Sequence, residues 1–166
     1  RRTLLQAAAL GAGATAAFPA IVRGAEPALY KAKNGRINQS VVPWCFRPMP
    51  VEELAAHSVK LGLKSVELVG VDKFPLLKQL GLVCAITGSH GFAKGFAHVE
   101  EHAECLKVLT ERIDATSAAG FPSIITFSGF RRGISDEEGT KNMVAGLKKI
   151  AGHAEKKKVT VCLEML

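Results

Sequence analysis

The fold is decided by the stretch Gly120-Phe121-Pro122-Ser123-Ile124-Ile125-Thr126-Phe127. In it a helix-ending glycine precedes an apolar residue, and a run rich in β-branched residues follows. The same junction of glycine and apolar residue recurs at Gly62-Leu63 and at Gly81-Leu82. Short apolar runs of this kind are typical of strands that are covered on both faces. Five are predicted: residues 37–42, 65–68, 83–87, 123–127 and 160–163.

The segments between these runs carry helix start and stop signals. Pro50 fits the first turn of a helix that ends at Gly62, and Asp72 is predicted to cap a short helix. Ser135 and Glu138 form a capping box for the last helix. Two core-facing stripes with helical spacing are predicted. They are Val99, Ala103, Leu106, Leu109, Ile113 and Ser117 in one helix, and Met143, Leu147, Ile150 and Ala154 in the next.

Strands that alternate with helices predict an α/β protein with a parallel sheet and right-handed crossovers. A closed β/α barrel and an open doubly wound sheet both fit this rhythm, which does not separate them. A complete eight-stranded barrel takes about 250 residues, whereas this chain has 166. A barrel would therefore be truncated after about five strands.

Composition excludes several classes of protein. With 48% apolar and 22% charged residues, the chain can bury a core and is not of the disordered class. The net charge of +7 comes in part from the N-terminal arginines and from lysines at a predicted helix end. Few aromatic residues lie among the basic ones, which argues against a nucleic-acid partner. The four cysteines have no zinc-site spacing.

The first 25 residues are predicted to be an export signal. Arg1-Arg2 precedes an uncharged stretch rich in alanine and glycine, residues 7–22, and this order is similar to a twin-arginine signal. We therefore expect export to the periplasm by the twin-arginine machinery, which generally carries folded cargo. Residues 26–36 are then a linker, and residues 37–166 form the partial barrel.

Chemistry in parallel β/α proteins collects where the strands end. Trp44 follows the first predicted strand, where it either stacks on a sugar or packs under a loop. Glu67 lies within the second strand, and a carboxylate there either pairs structurally or serves the site. His90, flanked by glycines, follows the third strand and is either structural or part of a site.

The fifth predicted strand carries the strongest site signal. In Val161-Cys162-Leu163-Glu164, a carboxylate ends an otherwise apolar run. Such an acid needs a cation or a hydrogen-bond partner. Magnesium and manganese favour carboxylate oxygen, so Glu164 is a candidate ligand of a divalent metal. The alternative is a buried ion pair.

Three motifs together resemble the hydroxypyruvate isomerase-like proteins of the xylose isomerase-like TIM barrel superfamily. The motifs are Phe127-Ser128-Gly129, Ser135-Asp136-Glu137-Glu138-Gly139 and Val161-Cys162-Leu163-Glu164-Met165-Leu166. The resemblance covers about residues 38–166 and implies a (β/α)₈ barrel. It implies that Glu164 ligates a divalent metal, magnesium or manganese, and takes part in proton transfer. The remaining ligands would come from later strands, so this chain is expected to be inactive alone.

The expected function is a metal-dependent isomerase or epimerase of a small sugar or hydroxy-carbonyl compound. A metal would polarise the substrate oxygens and a carboxylate would move a proton through an enediolate. Trp44, His90 and Glu67 would shape the substrate pocket. Assembly into a homo-oligomer is left open.

Two rival functions remain. Endonuclease IV-like zinc phosphodiesterases of the same superfamily use histidines at the ends of the third and fourth strands. His90 matches the first of these, but Ser128 stands where the second is needed. The other rival is an exported sugar-binding barrel without catalysis.

Overall fold

The computed structural model describes residues 30–31 and 35–166, so the predicted export signal and most of the predicted linker lie outside the described residues. Within them, strands and helices alternate along the chain. The strands are β1 (Ser40–Val41), β2 (Ser65–Val66), β3 (Ser123–Phe127) and β4 (Thr160–Glu164). The helices are α1 (Val51–Leu61), α2 (Phe74–Gln79), α3 (His102–Ala119) and α4 (Asp136–Lys157). Short 3₁₀ turns lie at Pro43–Phe46, Val71–Lys73 and Val99–Glu101.

All strand pairings are parallel and follow chain order. β1 pairs with β2, and β3 pairs with β4 so that Phe127 lies opposite Glu164. Residues 83–87 lie between the two pairs, because Val83 bridges to β2 and Thr87 bridges to β3. The carboxyl ends of the strands therefore lie along one edge, as in a β/α barrel wall.

The predicted third strand forms only two isolated bridges and not a continuous strand. Side-chain hydroxyls from both neighbours occupy its backbone groups: the Ala85 N–H donates to Ser65 Oγ over 2.9 Å, and Ser123 Oγ donates to the Ala85 carbonyl. Such local side-chain bonds compete with ladder bonds. The predicted first strand is also shorter than expected, and Ile37 is exposed.

The helix-ending glycines behave as predicted. Gly62, Gly81 and Gly120 have φ of 79°, 68° and 76°, the left-handed conformation that glycine adopts without strain. After each one, the next residue donates its N–H back into the last helical turn, as the Phe121 N–H does to the Thr116 carbonyl over 3.0 Å. The fold uses the same junction after α4.

Helix caps were predicted with mixed success. Ser135 caps α4 as expected, since its Oγ accepts from the Glu138 N–H over 3.1 Å. The predicted Asp72 cap is wrong. A 3₁₀ turn at Val71–Lys73 runs directly into α2, so Asp72 lies inside the turn and its side chain makes no capping bond.

Two apolar clusters form the core, one around α1 and α2 and one between α3 and α4. The α4 stripe is confirmed: Met143, Ile150 and Ala154 are buried, and Leu147 packs beside them. The α3 stripe is correct at Leu109 and Ile113 but wrong at Val99 and Ala103, which are exposed. Because α3 begins at His102, its first turn buries that histidine and Cys105 instead.

Cys84 and Cys105 are buried, Cys162 is half-buried and Cys45 is exposed, and all four are free thiols. Burial raises the pKa of the Cys84 thiol. Burial, together with the nearby carboxylates of Glu101 and Glu104, raises the pKa of Cys105 to about 11.

In the part of the chain that the structure describes, no helix is both long and apolar enough to cross a membrane.

Candidate functional site

A pocket of about 520 Å³ opens at the carboxyl ends of the strands. Every strand region contributes to its wall, so residues far apart in sequence meet there. Three of the four predicted site residues are among them. The lining consists of Trp44, Leu68, Gly88, Ser89, His90, Phe92, Ile125, Phe127, Glu164 and Leu166.

Glu164 ends β4 and places its carboxylate at the pocket. Its backbone carbonyl accepts from the Ser128 N–H over 3.0 Å, which fixes the main chain at this point. The residue is exposed, and across residues 30–31 and 35–166 it takes part in no salt bridge. The carboxylate is therefore not committed to an arginine or lysine there.

His90 lies in the pocket wall with both ring nitrogens engaged. Nε2 lies 2.8 Å from Thr126 Oγ1, and Nδ1 lies 3.2 Å from the Gly91 carbonyl. Since a carbonyl only accepts, Nδ1 donates to Gly91, and in the neutral imidazole Nε2 then accepts from the Thr126 hydroxyl. The imidazole also packs edge-on against Phe96 and Phe127, with centroids 6.1 and 5.7 Å away. The ring therefore serves as a fixed wall of the pocket.

Trp44 sits in the 3₁₀ turn after β1 and is 52% exposed. The side chain lines the pocket and remains open to solvent, so part of the ring is free to contact a ligand. An indole in this position offers an apolar face to a ligand, together with an N–H donor at its edge.

Glu67 is not among the pocket-lining residues. It follows β2 directly and is half-buried, and its backbone N–H donates to the Val41 carbonyl over 2.9 Å. The next residue, Leu68, lines the pocket in its place and has a left-handed φ of 55°. A leucine in that conformation is strained, and such strain is found most often near functional sites.

Sequence reasoning missed three polar or aromatic residues of this site. Thr126 holds His90, Phe92 contributes an exposed ring, and Ser89 precedes His90 in the wall. The glycine-flanked run around His90 was the available signal for Ser89. No local signal marked Phe92 or Thr126, because their roles depend on contacts between separate strands.

Two loops support the pocket by pairing with each other, and we call this pairing the loop clasp. Residues 93–97 follow the third strand region, and residues 127–130 begin at the last residue of β3. Their backbones are joined by Phe96 N–H to Phe127 O at 3.2 Å and Ala97 N–H to Ser128 O at 2.8 Å. The clasp fixes Phe127, and with it one side of the pocket.

Glu101 is the buried carboxylate that ties the loop clasp to α3. It accepts from the Gly95 N–H over 2.8 Å and from the Arg132 guanidinium over 2.6 Å. Burial by itself would raise the pKa of this carboxyl. The Gly95 N–H and the Arg132 charge outweigh burial and hold the pKa below its ordinary value.

Ser128 occupies the place where a zinc phosphodiesterase would need a histidine. The side chain is buried, and its Oγ donates to the Gly129 carbonyl and accepts from the Leu166 N–H, both over 3.0 Å. Its hydroxyl thus forms its hydrogen bonds with backbone groups, and Ser128 is not among the residues that line the pocket.

A divalent metal would find one suitable ligand in this pocket. Glu164 supplies carboxylate oxygen, which hard divalent cations prefer. Throughout residues 30–31 and 35–166, no three His, Cys, Asp or Glu side chains come together as a metal-binding group. The described residues therefore fit a metal as a source of one ligand and do not form a complete site.

No protein-family model matches the sequence, and no curated protein matches it either. Solved structures do match the fold. D-psicose 3-epimerase from Clostridium cellulolyticum H10, solved with D-tagatose, is 13% identical with a TM-score of 0.63; the match covers 78% of this chain and 53% of that one. AP endonuclease, family 2, from Brucella melitensis is 14% identical with a TM-score of 0.61, covering 76% and 55%.

The IOLI protein, solved with a binding zinc atom, is 13% identical with a TM-score of 0.61; the match covers 78% of this chain and 52% of that one. The chain thus spans about half the length of each of these three structures. These likenesses confirm the predicted α/β fold of a TIM barrel and decide against the open doubly wound sheet.

Proposed function

We propose that the protein acts as a sugar isomerase or epimerase of the xylose isomerase-like kind. The substrate would be a small sugar or hydroxy-carbonyl compound bound where the strands end. The observation that carries this proposal is the meeting of Trp44, His90 and Glu164 around one pocket of about 520 Å³. The likeness in fold to D-psicose 3-epimerase supports the reaction class.

The residues of the pocket suit a polyhydroxylated ligand with an apolar face. The Trp44 ring can stack on the C–H face of a sugar, and Phe92 and Phe127 add apolar surface to the pocket. Glu164 can accept a hydrogen bond from a hydroxyl group or hold a proton during transfer between neighbouring carbons. His90 keeps the wall in place through Thr126.

A divalent cation, magnesium or manganese, belongs to this proposal, with Glu164 as one ligand. When bound, it supplies Lewis-acid polarisation of the substrate oxygens. The zinc atom in the IOLI protein supports metal use by barrels of this fold and leaves the identity of the metal open.

This chain is expected to be inactive alone, so activity is tested in a polypeptide that carries the complete barrel. The assay follows aldose–ketose interconversion and ketose epimerisation in the presence of manganese. Glu164→Gln keeps the size of the side chain and removes its charge, so we expect a loss of about 100-fold or more in turnover. Glu111→Gln, an exposed carboxylate on α3, is the matched control and should leave turnover unchanged. Full activity in Glu164→Gln would rule out the proposed role.

Binding is tested through Trp44, the single tryptophan of the chain. Titration with D-fructose, D-tagatose or D-psicose should change its emission, because the ring lines the pocket. Binding without turnover would identify a non-catalytic sugar-binding barrel instead.

A zinc phosphodiesterase is the second candidate, favoured by the likeness to AP endonuclease, family 2. Ser128, engaged with backbone groups, counts against it. Metal analysis and cleavage of a duplex with an abasic site distinguish the two functions. Two or three tightly bound zinc ions with strand cleavage would establish the phosphodiesterase.

Export by the twin-arginine machinery is part of the proposal and rests on residues 1–25 alone. Fusion of this segment to a reporter should direct the reporter to the periplasm. Replacement of Arg1 and Arg2 by lysine should abolish transport, and unchanged transport would refute the assignment.

A further inference from the structure

Ser89 holds a buried hydroxyl without a partner. Within residues 30–31 and 35–166, its Oγ is the one buried side-chain polar atom that forms no hydrogen bond. Every other buried hydroxyl in that part of the chain is bonded, as Ser58 Oγ is to the Leu54 carbonyl over 2.7 Å. An unpaired buried polar group destabilises a fold, so its presence calls for a physical reason.

The position of Ser89 supplies that reason. The residue lines the same pocket as Trp44 and Glu164 and follows Gly88 in its wall. A ligand hydroxyl or carbonyl in the pocket would give Oγ the partner that the protein does not provide.

The surrounding structure leaves only the side chain of Ser89 free to adjust. On one side, the Thr87 N–H donates to the Ser123 carbonyl over 3.0 Å. On the other side, His90 is held by Thr126. A serine has one side-chain torsion to its Oγ, so the hydroxyl can reorient by rotation about χ1 without moving the main chain.

We propose that Ser89 is a substrate-binding residue that recognises one hydroxyl or carbonyl oxygen of a polyhydroxylated ligand. This inference rests on the proposed function and adds a specificity-determining contact to it. Serine can both donate and accept, so it suits a carbohydrate oxygen in either role. The unpaired hydroxyl lowers the stability of the free protein and favours the bound state.

The test compares Ser89→Ala with the wild-type sequence in two measurements, both in the polypeptide that carries the complete barrel. The first is the melting temperature without ligand, which should stay equal or rise because an unpaired buried hydroxyl is removed. The second is the affinity for D-fructose, D-tagatose and D-psicose with manganese, followed by Trp44 emission. We expect Ser89→Ala to weaken binding by about 3- to 10-fold, the effect of one neutral hydrogen bond.

Ser65→Ala is the matched control. It removes a hydroxyl that accepts from the Ala85 N–H over 2.9 Å and leaves that donor unpaired, so it should lower the melting temperature and leave sugar affinity unchanged. Singly deoxygenated ketohexoses then identify the contacted atom. For one analogue, wild type and Ser89→Ala should bind equally, because the partner oxygen is missing.

Three results would overturn the inference. These are a melting temperature lowered as in Ser65→Ala, unchanged sugar affinity in Ser89→Ala, or the same loss for every deoxygenated analogue. If the wild-type protein binds none of the three ketohexoses, the proposed function fails and the role of Ser89 fails with it. A failure of Ser89 alone is recognised by intact wild-type binding.

Discussion

The backbones of Gly95 and Gly129 are in direct contact, so that neither position has room for a side chain. A Cβ added to Gly129 would lie 2.6 Å from the Gly95 nitrogen, and a Cβ added to Gly95 would overlap the Gly129 nitrogen and the Phe127 carbonyl. Backbone atoms on both sides cannot yield as a flexible side chain would. The loop clasp therefore depends on both glycines.

Replacement of Gly95 by alanine should destabilise the protein by about 1–3 kcal/mol, because overlapping atoms must be separated by moving backbone. Urea unfolding measures the change. Gly91→Ala is the control, since a Cβ there meets nothing within 4 Å. Equal stability of the two variants would show that the clasp does not need the close approach.

The buried carboxylate of Glu101 should make stability depend on pH in the acid range. Its folded-state pKa is lowered, so the charged form is favoured by folding. The stabilisation is therefore complete above about pH 5, where the carboxyl is ionised in both states, and is lost as the pH falls through the lowered folded pKa. Unfolding curves between pH 2 and pH 7 measure this loss of stability toward low pH, which we call the acid limb.

Glu101→Gln tests whether the loss of stability along the acid limb comes from the Glu101 carboxyl. The amide can still accept from Gly95 but cannot form the ion pair with Arg132, so we expect a loss of about 1–3 kcal/mol at pH 7 and a flatter acid limb. Glu104→Gln, from an exposed pair with Lys94, should leave the stability nearly unchanged. An acid limb that stays as steep in Glu101→Gln would contradict the assignment.

Two glycines of α4 should respond to alanine in opposite directions. A Cβ on Gly146 would overlap the Phe96 ring and lie 2.8 Å from His102 Cε1, both in the packed core. Gly146→Ala should therefore cost about 1–3 kcal/mol. Gly152 faces open space, so Gly152→Ala should stabilise the helix by about 0.5–1 kcal/mol. Thermal melts of both variants test this, and stabilisation by Gly146→Ala would contradict the packing described.

Lys158 ends α4 with a φ of 57°, a conformation that costs a lysine but not a glycine. Lys158→Gly should therefore raise the stability by about 1 kcal/mol. Lys156→Gly, inside the helix, should lower it by a similar amount. If both substitutions lower the free energy of unfolding in urea equally, the left-handed conformation of Lys158 does not reduce the stability of the protein.

The helix ends that could be predicted from the sequence were those in which a glycine occupies the left-handed position. Three of them predicted helix ends correctly, and together with the alternating apolar runs they predicted the parallel α/β order. The fourth junction was missed because Lys158 occupies the position, although the Val159 N–H closes the same turn onto the Ala154 carbonyl over 3.0 Å. A left-handed helix end can be recognised in the sequence only when the position holds glycine, the residue that adopts this conformation with the least strain.

Non-local contacts set the limit of prediction at the site. Trp44, His90 and Glu164 could be predicted to lie near one another because strand ends meet at one edge in a parallel fold, a rule that needs no knowledge of packing. The bond between His90 and Thr126 and the missing partner of Ser89 depend on side-chain directions in separate strands. Such directions are not encoded in any short segment.

The raised pKa of Cys105 has a chemical consequence for a protein with four thiols. With a pKa of about 11, only about one molecule in ten thousand carries the reactive thiolate at neutral pH. Oxidants and alkylating reagents should therefore modify the exposed Cys45 long before they reach this sulfur. Burial and the raised pKa therefore act together to slow the oxidation of the Cys105 thiol in the folded chain.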